Sequence, residues 1–227
     1  MYICWEEILL GILQGYLDEK CDKRLPGILN FSVKEGYSIL NRMIEDNKIL
    51  QLKDAKKAYG HIRHVCVDIV IAQELERQDI EAKIDLKQVS KNGYTYPVIE
   101  VNGAIITAHK IFKPHLMPRS SWNRTNRSFL NREISLFDEE NLNLDENQVP
   151  YVMLTYGGLD YKLDFVQLSL PDEGVTKWLD RVSITNAPYL VKGYTSNQRK
   201  DFELTFTKKV GEILEKENIH GTSKIQS

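Results

Sequence analysis

The sequence predicts an α+β fold, with helices at the N-terminal end, a central antiparallel sheet built from hairpins, and a C-terminal helix. Three observations carry this. Apolar residues recur at helical spacing through the first 78 residues and again near the C-terminus. From Ile80 the period drops to two. Asn92-Gly93 and Asn102-Gly103 sit between β-rich runs, and Asn-Gly favours hairpins because both residues tolerate positive φ. With 227 residues, 42% hydrophobic and 27% charged, the chain can bury a real core. The expected organisation is a helical part over 1–78, a sheet with helices over 79–217 continuous with it as one domain, and a flexible tail over 218–227.

Element by element, Ile8, Leu9, Ile12, Leu13 and Tyr16 fall on one face of a first helix. Pro26-Gly27 is read as a break. Ser32 and Glu35 then form a capping box that opens a helix carrying Tyr37, Leu40, Met43 and Ile44. A third helix is expected from about Lys53 to Arg77. Within it, the alternating β-branched Val65, Val67, Ile69 and Ile71 would also suit a strand, so 63–77 is open between the two, with length and flanking residues favouring helix. Strands follow near 81–89, 94–101 and 104–109. Tyr151–Tyr156 and Tyr161–Leu170 make a second hairpin turned at Gly157-Gly158 and ended by Pro171. Phe202, Phe206, Val210 and Ile213 stripe the C-terminal helix.

The formal charge of -2 gives no global field toward nucleic acid or membranes, so any anion site must be a local patch. Met1–Glu7 carries acids where a signal peptide needs a basic start, and the apolar runs 8–13 and 65–72 are too short for a bilayer. Three cysteines without paired spacing suit a reducing compartment. The expectation is a cytoplasmic protein without membrane association. No phosphate-binding loop or nucleophile elbow is present, and no cofactor is expected.

The region between the hairpins is unusual. Residues 108–132 hold Lys110, Lys113, Arg119, Arg124, Arg127 and Arg132 and no acid, interspersed with His109, His115, Trp122 and Phe129. Forked arginine donors match phosphate oxygens, and Trp122 offers a stacking face. The competing reading pairs these arginines with the acids of 138–147. His109, closing the third strand, could act as general acid or base beside a bound phosphate, and a surface histidine without chemistry is the alternative. His61, His64 and Asp68 stand at i, i+3 and i+7 and would share a helix face; a metal site would need His109 or His115 as further ligand, and the favoured reading is no metal, with the two histidines near the surface and Asp68 paired with a basic side chain. Asp85, Glu100 and Lys110 do not make a nuclease set, because Glu100 is followed by Val101-Asn102 where the lysine should stand.

Glu133-Ile134-Ser135-Leu136-Phe137 resembles the short peptide with which bacterial proteins dock on the replicative sliding clamp. Ile134, Leu136 and Phe137 would be the anchors, whereas Glu133 replaces the motif's glutamine. The same residues could instead cover the core. Over a longer stretch, His109, Pro118-Arg119, Arg124 and Ser135-Leu136-Phe137 are similar to a pattern in uncharacterised bacterial proteins of mobile elements. That resemblance implies a role in phage–host conflict or a toxin–antitoxin pair. Three functions follow as expectations. The first is a nucleic-acid- or phosphate-binding accessory protein of bacterial or phage DNA metabolism. The second is a toxin-like nuclease or nucleotide-modifying enzyme centred on His109. The third is an antitoxin or immunity factor that binds a protein.

Overall fold

A computed structural model describes residues 11–88, 95–132, 149–159 and 162–190. The expected C-terminal helix and tail, the clamp-like peptide, the acidic stretch 138–147, Ile8, Leu9 and the Asn92-Gly93 turn lie outside the described residues. Among the described residues, three α-helices precede the sheet: α1 (Ile12–Lys20), α2 (Leu25–Asp46) and α3 (Tyr59–Arg77), the last entered through a 3₁₀ segment, Lys53–Ala58. The sheet comprises β1 (Ala82–Gln88), β2 (Thr95–Val101), β3 (Ala104–Ile111), β4 (Tyr151–Gly157), β5 (Phe165–Pro171) and β6 (Trp178–Ser183) in the order β1-β2-β3-β4-β5-β6. A short helix, α4 (Trp122–Ser128), lies in the connection between β3 and β4.

The class is therefore α+β, and 63–77 is helical. Three expectations are corrected. Pro26-Gly27 does not break the chain: Pro26 lies in the first turn of α2, where a missing N–H costs nothing. Ser32 consequently sits inside α2 and not at its cap; its hydroxyl is buried and donates back to the Ile28 carbonyl at 2.8 Å. The sheet is also only mostly antiparallel. β3 and β4 run parallel, from Ile105↔Tyr151 to Ile111↔Gly157. Parallel neighbours need a long crossover, and residues 112–150 supply it. Asn102 (φ 49°) and Gly103 (φ 80°) form the expected tight turn between β2 and β3.

The helices cover one face of the sheet. Leu13, Leu25, Ile28, Leu29, Val33, Val67 and Ile71 pack with Ile106, Ala108, Val152, Leu154, Val166 and Leu168. Part of the crossover lies on the other face, where Tyr151, Met153 and Val175 cluster with Ile105, Met117 and Trp178. Covered on both sides, β4 and β5 are buried along their whole length.

One irregularity positions the site. β1 and β2 stay paired out to Gln88↔Thr95, and β3 stays paired with β4 out to Ile111↔Gly157. β2 and β3, however, pair only over Ile99↔Ile106, Glu100↔Ile105 and Val101↔Ala104. The Thr95–Val98 half of β2 and the Thr107–Ile111 half of β3 therefore part company, and the sheet opens into a fork. Pro97, which has no N–H to offer, lies in the diverging stretch of β2.

Candidate functional site

The fork is a cleft of about 90 Å³, lined by His64, Tyr96, Thr107, His109, Arg124, Arg127 and Tyr151, among others. That volume suits a phosphate group or a few waters and is small for a whole nucleotide.

Each side chain arrives from its own element. Strand alternation puts Thr107 and His109 on one face of β3. The Thr107 hydroxyl is 2.7 Å from His109 Nε2 and 2.7 Å from the Tyr151 hydroxyl, which itself lies 3.4 Å from Nε2. The ring is held at that nitrogen, and Nδ1 has no hydrogen-bond partner among the described residues.

On α4, Arg124 and Arg127 are three apart and share a face. The helix itself is anchored firmly. Ser128 Oγ donates to the Thr125 carbonyl at 2.8 Å and accepts from the Gly174 N–H at 2.9 Å. Just beyond, fully buried Asn131 donates to the carbonyls of Tyr151 and Pro171 at 2.9 and 2.8 Å and accepts the Tyr151 N–H at 2.8 Å. Arg127 donates to the Tyr96 hydroxyl at 2.7 Å, with its guanidinium 5.3 Å from the centre of that ring. Arg124 donates to the Arg119 carbonyl, and its Nε is buried with no acceptor among the described residues. A buried, charged donor without an acceptor is costly.

The third wall is α3. His64 Nδ1 lies 3.1 Å from the Tyr156 hydroxyl and Nε2 lies 3.5 Å from Asp68 Oδ2, so both ring nitrogens face groups of the protein. Burial, then His61 and Arg124, push the His64 pKa down to about 4. Burial drives Asp68 well above the usual carboxyl range. Both groups are thus driven toward their neutral forms, and the contact is not a strong ion pair. His109 is held well below the ordinary histidine value by burial first, then by Arg124, His64 and Arg127. At neutral pH the cleft holds two uncharged imidazoles and two guanidinium groups, and none of the residues that line it is an aspartate or glutamate.

The cationic segment does not form one continuous groove. Arg124, Arg127 and His109 meet in the cleft. Lys110 alternates to the other face of β3, where its ammonium sits 4.1 Å from the Phe112 ring centre. Lys113 and Arg119 are exposed, and Arg119 contributes only its carbonyl. Arg132 pairs with Glu173 at 3.6 Å. Trp122 opens α4 with 77% of its surface exposed and does not line the cleft. His61 and His115 are exposed, and among the described residues no three His, Cys, Asp or Glu side chains could hold a metal ion. Ile134, Leu136 and Phe137 fall outside the described residues.

Sequence reasoning missed Tyr96, Thr107 and Tyr151. The alternation of β3 that places Thr107 beside His109 was available as a signal. Tyr96 and Tyr151 carried none, because they enter through the fork and the parallel β3–β4 pairing. Among the described residues, no helix is long and apolar enough to cross a membrane. Comparison with family models, with curated proteins and with solved structures finds no match.

Proposed function

We propose that the protein binds a phosphate group of a nucleotide or nucleic acid in the fork between β2 and β3. One observation carries this: Arg124 and Arg127 converge on a cleft with no lining carboxylate, and Arg124 keeps a buried donor without an acceptor. Arginine forks match phosphate oxygens, and the cleft admits the phosphate while the rest of the ligand stays outside it. Trp122, projecting from the same helix, is the stacking face for a neighbouring base. The likeness of the His109–Phe137 run to mobile-element proteins is consistent with a ligand of phage or host nucleic-acid metabolism.

The test is binding of fluorescein-labelled single-stranded RNA and DNA across a salt series. Affinity should fall with salt, and Arg124→Gln with Arg127→Gln should flatten the slope by about 0.7, since the two arginines share one phosphate and each phosphate neutralised on a single strand contributes about that much. Lys113→Gln with Arg119→Gln should change the slope less, because neither side chain lines the cleft. A folded Arg124/Arg127 double variant with unchanged affinity and slope would sink the reading.

A further inference from the structure

Resting on that reading, we infer that the cleft cleaves single-stranded RNA without a metal ion, with His109 as the proton acceptor for the ribose 2′-hydroxyl. The argument starts from what the cleft lacks and what it offers. Among the described residues its lining holds no carboxylate, so none of them offers an anionic side chain there to seat a divalent cation beside the phosphate. A phosphodiester attacked there needs another nucleophile. RNA carries its own, the 2′-hydroxyl next to the scissile phosphorus, and DNA does not.

Of the two histidines at the cleft, His109 is placed to take that proton. His64 faces Tyr156 with one ring nitrogen and Asp68 with the other. Among the described residues, His109 hydrogen-bonds only to hydroxyls, and only through Nε2. With a proton on Nε2, the ring donates to Thr107 Oγ1, Thr107 can donate onward to Tyr151, and the Nδ1 lone pair is left open. Thr107 and Tyr151 are positioning residues in this arrangement: they hold the ring through Nε2. Arg124 and Arg127 supply fixed positive charge for the phosphorane-like transition state.

The step balances. The 2′-oxygen forms a bond to phosphorus as His109 Nδ1 takes its proton, the bond from phosphorus to the 5′-oxygen breaks, and that oxygen takes a proton from water. His109 then returns its proton to solvent. The products are a 2′,3′-cyclic phosphate and a 5′-hydroxyl, and no oxidant or reductant takes part.

The experiment incubates the full chain in excess over a labelled single-stranded RNA in the presence of EDTA, beside a DNA of the same sequence. Binding is measured in parallel on an RNA with 2′-deoxy residues throughout its centre. The expected result is RNA cut to 2′,3′-cyclic ends, intact DNA, and a single-turnover rate lowered about 100-fold or more by His109→Ala. Thr107→Val should lower the rate less. RNA that is bound but uncut overturns the inference and leaves the binding reading standing. Cleavage of DNA at a similar rate, or a His109→Ala variant that cuts as well as the parent chain, also overturns it. Failure to bind either the RNA or its 2′-deoxy form sinks the binding reading itself.

Discussion

Asp68 shows how a single side chain behind the cleft sets a cost on the fold. Its Oδ1 is buried without a hydrogen-bond partner among the described residues, and Oδ2 has only His64, at 3.5 Å. Burial raises its pKa well above the usual carboxyl value, so over a window starting near pH 4 the folded chain binds a proton that the unfolded chain has released. Stability contributed by this group therefore falls as pH rises through that window. Asp68→Asn keeps the shape and removes the titration. Thermal melts should show the variant more stable than the parent chain at about pH 8, with the advantage shrinking toward about pH 4. A stability loss at about pH 8 that fades toward acid pH would instead mean that an ionised Asp68 is held by a partner. His64 works in the opposite sense: its folded pKa is depressed to about 4, so its contribution is present above the unfolded value near 6.5 and is lost as pH falls below it. The spacing of His61, His64 and Asp68 was legible as a shared helix face. That His64 faces Tyr156 was not, since a helical period says nothing about which strand meets the helix.

At the scale of elements, α2 and α3 touch through a glycine. A Cβ on Gly36 would stand 2.6 Å from Val67 Cγ2 and 2.8 Å from the Val67 Cα, so the two backbones pack closer than alanine allows. Gly36→Ala gains about 1 kcal/mol of helix propensity but forces the helices apart, at about 1–3 kcal/mol for overpacking. The expected net is a loss of stability read as a lower denaturant midpoint, and a gain would show that the contact relaxes freely. The apolar stripe of α2 was readable from Tyr37 and Leu40, but its start was not. Pro26-Gly27 carries the signature of a turn and of a helix's first turn alike, and only the packing of Leu25, Ile28 and Leu29 against the sheet decides between them. β6 escaped notice for a related reason. Trp178–Ser183 is short, half-exposed and charged at Asp180 and Arg181, as suits an edge strand, and its alternation is weak. The β2–β3 turn was legible because Asn102-Gly103 acts locally, and the β4–β5 hairpin because Gly157-Gly158 does. The parallel join between them depends on where a long crossover returns, which no local signal encodes.

Across the whole molecule, the sheet and the helical layer are tied together a second time after β6. Thr185 Oγ1 bonds the Val166 N–H at 2.9 Å and carbonyl at 3.0 Å, Lys34 reaches the Thr185 carbonyl at 2.8 Å, and Asn30 reaches that of Ala187 at 3.2 Å. The chain then crosses α2 so closely that a Cβ on Gly27 would stand 2.0 Å from the Pro188 carbonyl oxygen. Tyr189 completes the strap. Its ring stacks on Phe31 with centroids 4.0 Å apart, its hydroxyl donates to the fully buried Glu74 carboxylate, and Gln78 donates to that hydroxyl at 3.1 Å. Residues 184–190 thus close the helices onto the sheet from the far end of the strand order, and the same helical layer carries His64 into the cleft. Two variants separate what the strap contributes. Tyr189→Phe keeps the stack and leaves Glu74 short of one donor, at about 1–3 kcal/mol. Tyr189→Ala loses the stack as well, for about 0.5–1.5 kcal/mol more. If the strap is part of one cooperative unit, both variants should lower the global unfolding free energy, with the denaturant slope unchanged. If it frays alone, native-state hydrogen exchange would show only residues near 184–190 losing protection while the global midpoint stays put. The first outcome is expected, because Tyr189 joins both helices at once, bonding the fully buried Glu74 carboxylate of α3 and stacking on Phe31 of α2.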